Sequence, residues 1–269
     1  MARRIATLFC VVLLSACDTT APPVPEIDRA PPQLLSAFFG LDNGLIGPTR
    51  LICPAASGAD GMPVILSHRI ADTAASGRFG TVDASAFEVR MGNGERRTPE
   101  CAALAPALDA TERHTVLLIG EFGSPADQPV EVAMVGSVAL EGGADPRGLS
   151  VSVTPLEAGP ELILAFRYGP DDLVTDCPAT TQQVVVVAWA GGVTLAEGQT
   201  AEDHRTMYHV ETDAGVVTPA ALADLGDNDN YEHLCLTEAA IPLRVRAEPG
   251  VLLDPRGDPN VETTVGVSR

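Results

Sequence analysis

The sequence contains no lysine: all 17 basic residues are arginine, against 36 Asp and Glu, for a formal net charge of −19. A chain this acidic repels phosphates and anionic headgroups, so no nucleic-acid partner is expected and no direct docking onto an anionic lipid surface. Aromatic residues make up 4% of the chain, with a single tryptophan, Trp189. That is too few to build stacking platforms for bases or sugars. The short motifs of nucleotide and hydrolase chemistry are missing. Without lysine there is no Gly-x-x-x-x-Gly-Lys loop, and neither Gly-x-Ser-x-Gly nor His-Glu-x-x-His occurs. No two cysteines have Cys-x-x-Cys spacing, which argues against a zinc knuckle or a thioredoxin-type site. No apolar run approaches the ~20 residues that a membrane-spanning helix needs. No residue is assigned a catalytic role.

What is present begins at the N-terminus. Arg3 and Arg4 precede an apolar run from Ile5 to Leu14, followed by small residues, the pattern of a secretory signal over residues 1–16. Leu14-Ser15-Ala16-Cys17 resembles the lipobox of bacterial lipoproteins. The resemblance implies cleavage before Cys17, acylation of Cys17 on sulfur (palmitate included) and at its new N-terminus, and a body anchored in a membrane of the cell envelope. Residues 17–33 carry five prolines after Cys17, which excludes helix and sheet interior and makes a semi-rigid tether with a reach of roughly 50 Å. Asp18 resembles an inner-membrane retention signal, a rule that differs between bacterial groups, so both inner and outer membrane stay open. In residues 34–44, Leu34, Leu35, Phe38 and Phe39 fall at helical spacing before Gly40, and a short helix is expected.

From Thr49 onward the pattern is of strands. Apolar or alternating runs at Thr49–Cys53, Pro63–Arg69, Ala86–Met91, Thr115–Phe122, Pro129–Leu140 and Leu149–Thr154 are separated by Gly, Pro, Asp and Asn clusters. The same rhythm continues at Glu161–Tyr168, Gln183–Ala190, Met207–Thr212, Glu232–Leu236, Ile241–Ala247 and Glu262–Val267. Val184–Trp189 is apolar throughout and is expected to be a central strand. Pro99–Ala105 and Pro219–Leu225 read as short helices, each opened by Thr-Pro. Three short sequences recur in order: Cys53-Pro54-Ala55 as Cys177-Pro178-Ala179, Thr98-Pro99 as Thr218-Pro219, and Asp145-Pro146-Arg147-Gly148 as Asp254-Pro255-Arg256-Gly257. They divide the chain into homologous units of ordinary domain size at 45–154 and 155–269.

Six or more short strands per unit point to β-sandwiches. The first unit also resembles the bacterial Ig-like domains found in tandem on envelope proteins. The resemblance rests on Met62–His68, Phe87-Glu88-Val89, Thr115–Ile119, Val130–Ser137 and the Asp145–Gly148 turn, and it implies no catalytic residues. The expected fold is all-β: two tandem Ig-like sandwiches with few short helices.

After removal of Cys10 with the signal and acylation of Cys17, Cys53, Cys101, Cys177 and Cys235 remain, an even number in an oxidising compartment. Three pairings are possible. Two cysteines per unit favour Cys53–Cys101 and Cys177–Cys235, and four free thiols packed as small hydrophobes are the alternative. Asp224, Asp227 and Asp229 crowd one loop with the hard oxygen ligands that suit Ca²⁺, although Tyr231 and Glu232 break an EF-hand pattern. A plain Asx-rich turn reads the same residues without a metal; the expectation is no cofactor, with calcium as the alternative. His204, His209, Glu211 and His233 are also close in sequence. The expected function is a lipid-anchored envelope protein with a binding or structural role, partnered by the membrane through its anchor and by another envelope protein. The alternatives are a metal-assisted hydrolase built on the His204–His233 region, or a Ca²⁺-dependent binding module, both using the second unit.

Overall fold

A computed structural model describes residues 30–45, 47–54 and 56–268. The signal segment, Cys17 and the tether as far as Arg29 lie outside them. The first unit holds β1 (Leu34–Phe38), β2 (Asp60–Leu66), β3 (Thr81–Val82), β4 (Phe87–Met91), β5 (Arg96–Arg97), β6 (Cys101–Ala103), β7 (Thr115–Gly120), β8 (Pro129–Met134) and β9 (Ser150–Thr154). The second holds β10 (Leu162–Tyr168), β11 (Gln183–Trp189), β12 (Thr194–Leu195), α1 (Ala201–Thr206), β13 (Tyr208–Thr212), β14 (Gly215–Val217), β15 (Ala221–Ala223), β16 (Tyr231–Leu236), β17 (Pro242–Ala247), β18 (Leu252–Leu253) and β19 (Thr263–Ser268).

Each unit is one sheet curled over a core. The first runs β3-β6-β7-β2-β1-β9-β8-β4-β5 and the second β15-β16-β11-β10-β19-β17-β13-β14. In both, the first strand closes the sandwich. β1 pairs antiparallel with β2 and parallel with β9, as β10 does with β11 and β19. This is the Ig-like arrangement of a four-strand layer facing a second layer, with the first strand shared between them. In the first unit Val64, Leu66, Val116 and Leu118 from one layer meet Phe87, Val89, Val132 and Met134 from the other.

The strand registers make the duplication concrete. Val64 pairs with Val116 and Ala37, while Val187 pairs with Glu232 and Ala165. Both first strands carry an irregularity at the same place, between Leu34 and Ser36 and between Leu162 and Leu164. Leu34-Leu35-Ser36-Ala37-Phe38 is therefore the counterpart of Leu162-Ile163-Leu164-Ala165-Phe166, a repeat in addition to the three turn sequences.

Several expectations change. Residues 34–44 do not form a helix: Leu34–Phe38 is the shared strand, and the first unit begins there, not at residue 45. A strand with a bulge can bury neighbouring apolar residues, so the spacing that mimics a helix is met by an irregular strand packed on both sides. The Thr-Pro segments open short strands, β6 between β3 and β7 and β15 at its sheet's edge, instead of helices; ladder pairing overrides their Ala-rich helix propensity. Gly47–Leu51 is a 3₁₀ turn, so the strand expected at Thr49–Cys53 is absent. The one α-helix among the described residues, Ala201–Thr206, is closed by a capping box in which Thr200 and Asp203 exchange hydrogen bonds. The Asn93-Gly94 turn does join β4 to β5, with Gly94 at φ +87°.

All residues of β7, β11 and β16 are buried. One face of each lines its own core. The other face of β11, with Tyr231 of β16, meets the first unit across a seam, where Ile65 and Ala107 pack with Leu164, Phe166, Val184, Val186, Ala188 and Tyr231; the other face of β7 is covered within its own unit, where Leu117 and Ile119 pack with Leu45, Cys53, Ala56 and Ala59. The units thus stand back to back. This explains why Val184–Ala188 does not alternate: both of its faces are covered. A fully buried Val, Leu or Phe contributes about 1.5–3 kcal/mol, so the seam is a substantial apolar joint. Thr115 and Tyr231, counterparts in the two units, hydrogen-bond to each other at 2.9 Å across it. Meeting of equivalent residues is the mark of a pseudo-two-fold pairing.

Candidate functional site

Alternation along β16 sorts its polar residues onto opposite sides. Glu232 points into the second core with Leu234 and Leu236, while Tyr231 and His233 face the seam. Inside the core, Glu232 receives hydrogen bonds from His204 at 3.0 Å and from the Tyr208 hydroxyl, and Trp189 donates to that hydroxyl at 2.9 Å. Burial, then the Glu232 charge, pushes the Tyr208 phenol well above its ordinary range. These groups satisfy one another, which is what a structural polar network requires. His209 pairs at the surface with Glu248 and Glu211 with Arg244. The His204–His233 region therefore occupies three separate places: a core network, an exposed strand face and the seam.

At the seam a second group gathers. Glu112 belongs to the turn before β7, where its backbone N–H donates to Asp109 and its Oε2 accepts from the Asp109 N–H at 3.2 Å. Opposite lies the loop from β15 to β16. Asp224 and Asn228 both have positive φ, +61° and +63°, a conformation Asp and Asn tolerate better than most residues. Asp229 Oδ1 accepts from the Tyr231 N–H at 2.7 Å. The ring of His233 is set by Thr175, whose Oγ1 lies 3.1 Å from Nδ1, and its Nε2 lies 3.3 Å from Asp224 Oδ2. Thr175 is itself held close by the Cys177–Cys235 disulfide, being two residues before Cys177 in the β10–β11 loop as His233 is two residues before Cys235 in β16.

Glu112, Asp224 and His233 bring one ligand atom each within 4.8 Å of one another, and so do Glu112, Asp227 and Asp229. Glu112 and His233 are each only 1% exposed. Four atoms in the cluster are buried without a hydrogen-bond partner: Glu112 Oε1, Asp224 Oδ2, Asp229 Oδ2 and His233 Nε2. Burial, and then the Asp229 charge, pushes Glu112 up to about 10. Burial is also the main cause for Asp229, pushed up to about 7, and for the rise of Asp224. Burial lowers His233, with Asp224 opposing it. Burial thus opposes ionisation of all three carboxyls.

Of the three aspartates singled out from the sequence, Asp224 and Asp229 enter this cluster directly and Asp227 touches it from its exposed side. Glu112 carries no sequence signal for it, being more than a hundred residues away in an ordinary turn, and His233, noted from the sequence with His204, His209 and Glu211, joins the aspartates and not those three. The disulfides form as Cys53–Cys101 and Cys177–Cys235, with Cα–Cα separations of 6.1 and 5.7 Å. Elsewhere, a shallow hollow between the β4–β5 turn and residues 125–130 contains one carboxylate, Asp127, already bonded to Asn93 at 2.8 Å. No protein-family model matches the chain, and no curated protein or solved structure matches it either.

Proposed function

We propose that the chain is a lipid-anchored protein of a bacterial cell envelope, on the periplasmic or outer side of its membrane, with a binding or structural role and no catalysis. The observation that carries this reading is the back-to-back seam. It joins two Ig-like sandwiches into one block and buries an apolar face of the second, together with Glu112 and His233, between them. The core network around Glu232 is internally satisfied, consistent with a part that supports the fold. Cys17 anchors the block through its proline-rich tether, and an envelope protein is the partner.

Membrane fractionation of cells tests the anchor. The wild-type chain is expected with membranes, and Cys17→Ser in the soluble fraction. A wild-type chain that stays soluble, or a Cys17→Ser variant that stays on membranes, overturns the reading. Crosslinking in native membranes then reports the partner protein.

A further inference from the structure

We propose that the seam between the two sandwiches holds one divalent transition-metal ion, of the zinc type, on Glu112, Asp224 and His233. The proposal is independent of the lipid anchor. Three observations carry it. First, the donor set mixes two carboxylates with an imidazole, which suits zinc-like ions, whereas calcium takes six to eight oxygens. Second, two of the donors are deeply buried: Glu112 and His233 are each 1% exposed, Glu112 Oε1 has no hydrogen-bond partner, and His233 Nε2 faces only Asp224 Oδ2 at 3.3 Å. Buried polar atoms normally have partners, so convergent orphans mark a place for one more group. Third, the imidazole is already oriented. An Nδ1–H donating to Thr175 Oγ1 leaves the Nε2 lone pair facing the carboxylates, the outer-shell arrangement that metal-bound histidines show.

The ion would join the units, because Glu112 comes from the first and Asp224 and His233 from the second. Asp229, with Oδ2 buried beside them, neutralises further charge, and Asp227 marks the exposed rim. The site has no twin across the pseudo-two-fold: the strand registers place Leu117 where His233 stands, and Leu104 follows Ala103 where Asp224 follows Ala223.

The test uses the full mature chain in detergent, stripped with a chelator and titrated calorimetrically with ZnCl₂ and, separately, CaCl₂. One Zn²⁺ per chain is expected. Glu112→Gln and His233→Gln should each weaken Zn²⁺ binding about 100-fold, the upper range for loss of a metal-site group, and Asp227→Asn by less than about fivefold. Zn-edge X-ray absorption on the wild-type chain gives a readout that needs no variant to fold: an N/O shell at about 2.0–2.1 Å with outer-shell scattering from one imidazole. No Zn²⁺ uptake, an absorption spectrum without imidazole, or binding that His233→Gln leaves unchanged overturns the proposal. Ca²⁺ bound equally by wild type and His233→Gln, in preference to Zn²⁺, overturns it as well.

Discussion

The two sandwiches have the same strand order and different interiors. At the position of Val116 in β7 the second unit has Glu232, and at the position of Phe87 in β4 it has Tyr208. A buried apolar pair has been exchanged for a buried polar pair whose members hydrogen-bond to each other. His114 and Asn230 show the opposite case, different side chains with one task. Each sits just before its strand and bonds the counterpart carbonyl, His114 Nδ1 to Leu66 O at 3.0 Å and Asn230 Nδ2 to Trp189 O at 2.7 Å. On the outer faces, Arg90–Glu131 reappears as Glu211–Arg244 with the charges reversed. The comparison teaches that the repeat preserves strand register and hydrogen-bond partners, and that residue identity drifts wherever a partner changes with it.

The strongest way to break the comparison is Glu232→Val. It installs the first unit's residue but strands the Tyr208 hydroxyl and His204, so a loss of about 3–5 kcal/mol is expected in urea unfolding. Adding Tyr208→Phe should recover much of it, since both halves of the polar pair are then gone. A double variant no better than the single would show that the two positions do not act as a pair.

Each disulfide should contribute up to about 4 kcal/mol in the chain-entropy account, since the cysteines are 48 and 58 residues apart. Replacing either pair by serine therefore gives similar losses of stability. The pairs differ in a second readout. The registers align Cys101 with Ala221 and Ile119 with Cys235, so the two bonds staple neighbouring strands. Removing Cys177–Cys235 loosens Thr175 and should reduce Zn²⁺ affinity; removing Cys53–Cys101 should not. Equal effects on Zn²⁺ would remove this distinction.

His114 is buried against Phe166, ring centroids 4.6 Å apart, and burial lowers it to about 3. A lowered histidine favours the protonated unfolded chain as pH falls, so its contribution is intact above about 6.5 and is lost from there toward 3. At pH 5 the loss is about 2 kcal/mol. His114→Asn imports the counterpart residue, which does not titrate. With a chelator present, the wild-type minus variant difference in stability should fall between pH 7 and 5, and a flat difference would contradict the assignment. The smallest effect belongs to the surface pair: exchanging Arg90 and Glu131 should change stability by less than about 0.5 kcal/mol, as for exposed ion pairs generally.

Much of this was legible before the fold. Short strands, punctuating turns and three recurring sequences are local signals, and they pointed to two β-sandwiches and both disulfides. The equivalence of Leu34–Phe38 and Leu162–Phe166 was not, because clustered apolar residues read as a helix until two neighbouring strands are known to cover them. Nor were the short strands after Thr98-Pro99 and Thr218-Pro219, where ladder pairing decides against local propensity. At the site, the acidic loop at Asp224–Asp229 announced itself. Its completion by Glu112 depends on how two domains dock, and the facing of His233 depends on which side of β16 meets the other unit.

The double-sided burial of β11 has a consequence for how the protein is made. Val184-Val185-Val186-Val187 is uncharged, β-branched and free of proline, the composition of an aggregation-prone segment. In the finished molecule one of its faces is shielded by the first unit. During synthesis the first unit emerges earlier and is ready to receive it. The second unit expressed alone, with that face uncovered, should precipitate.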